Sequence, residues 1–223
     1  WMEMPEQYRL GVMRFASENG MAGLSFRVAE IIRKDTGVSW YGALYPHPQF
    51  KIDYDIDEAL VWAISRQESG FNPRAKSSAK AAGLMQLMPA TASFIARDRG
   101  YRGRKRHQLF EPELNLKLGQ NYIQHLLDEP LVESSLIRLL AAYNGGPGNL
   151  RKWLGKVDHQ DDPFLLVESM PARETRYYVK NVISNLGIYR QRFGETTPAL
   201  SGLAAGNGGK FVPSEAIDKG LAN

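Results

Sequence analysis

The sequence predicts a mainly α-helical protein, and three observations carry that prediction. Apolar residues recur every three to four positions along most of the chain. No segment shows the strict alternation that a half-buried strand needs. Gly, Pro and Asp, which start and stop helices, fall between the periodic stretches. With 223 residues, 43% hydrophobic and 23% charged, the chain can bury one substantial core.

Residues 1–36 read as two helices, one through Tyr8, Val12 and Phe15, the other through Phe26, Val28, Ile31 and Ile32, with Gly20 and Gly23 between them. Such a hairpin cannot bury its faces alone and must pack on something else. From Gly37 to Tyr54 the chain turns to Gly, Pro and aromatics, the composition of a linker or docking segment. Asp55 or Asp57 then caps a helix carrying Leu60, Val61 and Ile64 that ends near Gly70. Pro89 opens a helix running through Phe94 and Ile95 to Gly100. A strongly basic loop, Gly100 to His107, follows. Pro112 opens the next helix, with Leu114, Leu118, Tyr122 and Leu126 at four-residue intervals. Leu136, Ile137 and Leu140 mark another, stopped by Gly145-Gly146-Pro147, and a long last helix spans about Arg173 to Phe193 with Val179, Val182, Ile183, Leu186 and Tyr189 on its buried side. Beyond Gly194 the composition is that of a flexible tail. The expected domains are therefore a lead-in and linker at 1–50, a main domain at 51–195 and a tail at 196–223.

Composition excludes several chemistries. There is no cysteine, so thiol nucleophiles, iron–sulfur clusters, disulfides and Cys-based zinc sites are absent. The four histidines, His47, His107, His125 and His159, lack metal-ligand spacing and form no triad pattern. No phosphate-binding glycine loop occurs, and no metal or cofactor is expected. No apolar run approaches the length of a membrane span, and no charged leader with an apolar stretch opens the chain. It begins at Trp1 rather than Met, which leaves a removed leader or an upstream region open. A net charge of +4 favours an anionic partner only weakly, and one short basic loop does not make a nucleic-acid interface.

Four segments could carry chemistry. In Arg66-Gln67-Glu68-Ser69-Gly70, Glu68 falls on the last turn of a helix. The negative end of the helix dipole and partial burial would both raise its pKa toward that of a general acid. The bland alternative is a surface acid held by Arg66 or Arg74. In Gly83-Leu84-Met85-Gln86-Leu87-Met88-Pro89, Gln86 could bind an amide or hydroxyl, and Met85 and Met88 could line an apolar wall or simply fill the core. Tyr143 and Asn144 sit at a helix end before Gly145 and Gly146. Glu174 opens the last helix, where the dipole favours an acid.

Together and in order, Glu-Ser at 68–69, Gly-Leu-Met-Gln at 83–86, Ala-Tyr-Asn-Gly-Gly at 142–146 and Glu-Thr-Arg-Tyr-Tyr-Val at 174–179 resemble the catalytic domain of the soluble lytic transglycosylases, relatives of goose-type lysozyme. The resemblance covers about Tyr54 to Phe193. It implies a lysozyme-like catalytic domain preceded by a short helical hairpin, the end of a longer helical region.

The resemblance further implies that Glu68 is the lone acid/base and that Ser77 stands beside the N-acetyl group of the muramic acid whose bond is cut. Gln86 and Met88 would line the groove with Met85, and Gly83 would let sugar approach the backbone. Tyr143 and Asn144 would face Glu68, with Glu174 as a second acid. Ordinary glycosidases use two carboxylates. Here Glu68 would protonate the oxygen between N-acetylmuramic acid and N-acetylglucosamine, then accept the proton of the C6 hydroxyl as that oxygen closes on C1. The product is a 1,6-anhydro sugar and no water is consumed. The implied partner is the peptidoglycan glycan strand, in the periplasm or cell envelope, with other cell-envelope proteins as further candidates and the chain acting as a monomer. A hydrolytic muramidase, or an inactive peptidoglycan-binding or scaffold protein, are the alternatives.

Overall fold

Proline and glycine set most of the helix boundaries. In the computed structural model, which describes residues 4–160, 162–206 and 209–211, Pro occupies the first turn of five helices, where its missing N–H costs nothing. Helices α1 (Glu6–Glu18) and α2 (Ala22–Thr36) are followed by the short α3 (Tyr41–Leu44), α4 (Glu58–Ser69) and α5 (Pro89–Ile95). Two 3-10 turns, Arg99–Arg102 and Arg106–Phe110, lead into α6 (Pro112–Leu127), α7 (Leu136–Gly145), α8 (Pro147–Leu154), α9 (Pro163–Ser169), α10 (Arg173–Phe193) and α11 (Pro198–Ala204). Among the described residues the only β pairings are isolated bridges. Helix α2 ends at Gly37 and α10 at Gly194, both left-handed, as helix C-termini commonly do.

The chain divides into two compact units. One comprises Trp1–Asp53 and Glu68–Lys117, the other Tyr54–Gln67 and Leu118–Asn223. In the first unit, α1 and α2 form the expected hairpin, with Gly20 in the turn (φ 68°) but Gly23 inside α2. A Cβ on Gly23 would lie 2.8 Å from the Phe71 carbonyl oxygen, so the missing side chain lets α2 approach the backbone after α4. Phe71 also packs edge-on against Phe26, with ring centroids 5.6 Å apart. The hairpin thus finds its partner in the segment that follows Glu68.

The same unit holds the basic loop. Arg97 takes a left-handed backbone (φ 51°), so α5 stops at Ile95 rather than reaching Gly100. Asp98 then accepts from Gly100 N–H at 2.7 Å and Lys105 Nζ at 2.6 Å, which folds the loop into its two 3-10 turns. The Lys105 ammonium, and after it the Gly100 amide, hold the Asp98 carboxyl below the usual carboxylate range. A depressed folded-state pKa adds stability above the unfolded value of about 3.9 that disappears as pH falls through the folded value. Asp98→Asn should therefore lower Tm at neutral pH, and the difference from the parent should begin to shrink below about pH 4 and vanish once pH is below the folded-state value.

In the second unit, α7 and α10 supply much of the core. Leu136, Ile137, Leu139 and Leu140 are buried on α7, and Val179, Val182, Leu186 and Tyr189 on α10. Helix α4 is buried from Ala59 through Ser65, on every side, so its position is fixed by packing along its whole middle. Asp57 caps it, accepting from Leu60 N–H at 2.9 Å. The segment after Gly194 is ordered where it is described. Ala199 and Leu203 of α11 are buried, and Phe211 N–H donates to the Ser134 carbonyl at 2.7 Å, beside the start of α7. Trp1 and residues 212–223 of the expected tail lie outside the described residues.

Candidate active site

Glu68 emerges on the last turn of α4, half-buried, where the helix leaves the core. The chain then reverses through two consecutive left-handed residues, Gly70 (φ 55°) and Phe71 (φ 62°). Left-handed backbone is costly for Phe, and here the packing of Phe71 on Phe26 holds it.

Downstream in the same unit, residues 75–87 form a tight loop built largely from its own polar groups. Ser77 N–H donates to the Ala81 carbonyl, and Ser77 Oγ accepts from Ala81 N–H, each at 3.0 Å. Accepting in this way leaves the half-buried Ser77 hydroxyl proton as a donor. Gln86 has a left-handed backbone (φ 47°), and its side-chain amide donates to the carbonyls of Ala75 at 3.0 Å and Gly83 at 2.8 Å. Both amide hydrogens thus clamp the loop, so Gln86 shapes the site before it can touch anything bound there.

Asn115 fastens this loop from α6. Its Oδ1 accepts from Met85 N–H at 2.8 Å, while Nδ2 donates to Ala82 O at 2.9 Å and Leu109 O at 2.8 Å. The residue has no exposed surface. Buried polar groups must be satisfied internally, and here three bonds tie together the Gly83–Gln86 turn, the end of the basic loop and α6. Sequence reasoning missed Asn115, whose one local signal is an amide next to the apolar Leu114 and Leu116.

Two expectations change on this evidence. Gly83 (φ 82°) is buried, and a Cβ there would sit 2.2 Å from the Leu109 carbonyl oxygen and 2.3 Å from Asn115 Nδ2. Protein, rather than sugar, approaches its backbone. Met85 is fully buried and therefore fills the core, whereas Met88 is 40% exposed and available as an apolar wall. Gly83→Ala should cost roughly 3 kcal/mol or more from backbone strain and overpacking combined. Urea unfolding would show this as a lowered midpoint with an unchanged slope.

In the second unit, Tyr143 lies at the C-terminal end of α7 between two other tyrosines. Its centroid is 5.3 Å from that of Tyr122, and 6.4 Å from that of Tyr178, to which it is nearly parallel. Burial pushes the Tyr122 hydroxyl above its ordinary value. Asn144 Oδ1 accepts from Thr175 Oγ1 at 2.7 Å, fixing the end of α7 to the start of α10. Gly145 is required at this junction, because a Cβ would meet the Trp153 ring at 2.6 Å. Glu174 is exposed in the first turn of α10. Asn185, buried on α10, accepts from Arg66 Nη1 at 3.0 Å and donates to Ala63 O at 3.3 Å, so α10 grips the last turns of α4 before Glu68. Among the described residues no cluster of His, Asp or Glu could hold a metal, and no helix is long and apolar enough to cross a membrane.

Helical architecture and the order of the four motifs define the class to which these features belong, a helical catalytic-type domain with its polar motifs at helix ends. The family described as Transglycosylase SLT domain matches residues 49–164, and the chain belongs to that family. Over 150 residues it is 41% identical to the soluble lytic murein transglycosylase of Salmonella typhimurium, an alignment covering 66% of this chain and 23% of that protein. It is 34% identical over 152 residues to the membrane-bound lytic murein transglycosylase C of Photorhabdus laumondii, covering 60% of this chain and 43% of the relative. The crystal structure of the 70 kDa soluble lytic transglycosylase of Escherichia coli superposes with a TM-score of 0.74 at 32% identity, covering 86% of this chain and 32% of that one. A second, an inactive glutamate-to-glutamine mutant of lytic transglycosylase Slt from Pseudomonas aeruginosa, gives 0.73 at 28% identity over 88% of this chain and 32% of that one. The expected fold class, mainly α and of the lysozyme-like type, therefore holds. The chain spans about a quarter of the length of the first of these curated relatives and about a third of the solved chains.

Proposed function

We propose that this chain is a lytic murein transglycosylase domain that cleaves the bond between N-acetylmuramic acid and N-acetylglucosamine in peptidoglycan. The observation that carries the reading is Glu68 itself, half-exposed at the end of an otherwise buried helix in a chain of this family. A structural relative inactivated by one glutamate-to-glutamine exchange supports giving the chemistry to a single carboxyl group.

The steps follow from that group. Protonated Glu68 gives its proton to the bridging oxygen as the C1–O bond breaks, and the N-acetylglucosamine hydroxyl leaves. The carboxylate then accepts the proton from the C6 hydroxyl of the same muramic acid, whose oxygen bonds to C1 and closes the 1,6-anhydro ring. Proton inventory at Glu68 is restored. Intramolecular capture also gains effective concentration over a free water. The Ser77 hydroxyl is suited to donating to the N-acetyl carbonyl that steadies C1, since its oxygen already accepts within the loop. Met88, Tyr143, Asn144 and Glu174 are assigned to binding the glycan, with Gln86, Gly83 and Met85 shaping the loop. The location that goes with this substrate is the periplasm or cell envelope.

Mass spectrometry of sacculi digested with the chain tests the reading. The new muramic acid ends should be one water lighter than reducing ends. Reducing ends throughout would assign a hydrolytic muramidase instead.

A further inference from the structure

Helix α4 is packed on every side from Ala59 through Ser65, and that packing stops three residues short of Glu68. The carbonyls of a last helical turn lack partners within the helix, and such ends fray. A general acid that must meet one oxygen of a bound chain tolerates little fraying, because a misplacement of about 1 Å can cost about a hundredfold in rate. The turn that carries Glu68 therefore needs a brace beyond the core.

Asn185 supplies one from α10. Its amide spans two groups one turn apart on α4, accepting from Arg66 Nη1 at 3.0 Å and donating to the Ala63 carbonyl at 3.3 Å. The residue is buried within the stripe formed by Val182, Leu186 and Tyr189. An asparagine in that place lowers helix propensity and gives up water, so an apolar residue of similar size would serve stability at least as well. What the amide adds is direction. One bond donated and one accepted select a single rotation and height of α4 against α10. Glu68 follows Arg66 by two residues, about 200° round the helix, so the face that Asn185 grips is opposite the one that carries the carboxyl.

Resting on the function proposed above, we infer that Asn185 is a positioning residue for the acid. Together with Arg66 it fixes the end of α4, and so the place at which Glu68 meets the bridging oxygen. Acting through the helix, it sets turnover and leaves affinity for the glycan unchanged.

Asn185→Leu is close in size, removes both bonds, and tests this beside Arg66→Met and the double variant. On soluble glycan strands kcat should fall about tenfold, less than the loss for a full 1 Å displacement, with KM within about twofold. Arg66→Met breaks the shared bond from its half-buried end and should give a similar fall. The double variant should fall no further than either single one, whereas independent effects would multiply to about a hundredfold. Hydrogen exchange of the backbone amides at 67–69 should quicken roughly tenfold in Asn185→Leu while that at 60–64 stays as in the parent. A lowered Tm with kcat unchanged well below the melting transition overturns the inference, as does a rise in KM alone or a multiplied loss in the double variant. If Asn185→Leu does not fold, Arg66→Met carries the same kinetic and exchange test. If the parent does not cleave glycan, the proposed activity fails separately. Faster exchange confined to 67–69 then still supports the brace, and unchanged exchange there overturns it.

Discussion

Glu68→Gln is expected to lower turnover of murein at least about 10³-fold, the upper range for loss of a general acid–base group, with the Tm unchanged. The exchange is nearly isosteric and replaces the ionisable carboxyl with an amide that neither gives up nor accepts a proton at this step. The side chain is half-buried at the end of α4, whereas the packing that fixes the helix lies between Ala59 and Ser65. Because one carboxyl serves as acid and then base, both steps fail together, and no residual half-reaction should accumulate. Turnover by dye release from labelled sacculi, beside a thermal melt, separates the outcomes. Activity within a few-fold of the parent would return Glu68 to an ordinary helix-end acid.

The largest expected loss of stability comes from the buried pair Asp57–Arg190 in the second unit. Arg190 Nη2 binds Asp57 Oδ2, and the two side chains are 1% and 0% exposed. Asp57 also caps α4, and Arg190 Nη1 donates to the Thr196 carbonyl at 3.1 Å where the chain leaves α10. Arg190→Met would leave a carboxylate buried without its counter-charge. Such a change costs about 3–5 kcal/mol, a drop in Tm of roughly 10 °C for a chain of this size. Adding Asp57→Asn removes the stranded charge and should recover part of the loss. A melt shifted by less than about 1 °C would mean the pair behaves like an exposed one.

Much of this was legible beforehand because it is local. The end of α4 near Gly70 follows from Leu60, Val61 and Ile64 and the glycine beyond, so Glu68 could be placed on its last turn. The α7 stripe, Leu136, Ile137 and Leu140, is buried as its spacing implies. Four helices were missed, α3, α8, α9 and α11, although prolines mark the starts of the last three. Gly146-Pro147 ends α7, and Pro147 also opens α8. Asp162-Pro163 opens α9, with Asp162 accepting from Phe164 and Leu165 N–H. On α6 the buried face runs through Leu116, Ile123 and Leu126, whereas Leu114 and Tyr122 stay half-exposed, because Asn115 and Gln120 share that face.

What was not legible depends on partners far away in sequence. Asn115 reads as one polar residue in a helix until Ala82, Met85 and Leu109 are placed around it. Gly83 has a sequence signature compatible with an approaching sugar or an approaching chain, and only the 2.2 Å distance to the Leu109 carbonyl decides. Arg190 looks like a basic residue near a helix end, yet its partner lies 133 residues earlier.

The central claim is that Glu68 directs an intramolecular capture in place of hydrolysis. Digestion of sacculi in water enriched in heavy oxygen tests it most directly. The account predicts new muramic acid ends that carry no heavy oxygen and that disappear with Glu68→Gln. One heavy oxygen at each new end would contradict it.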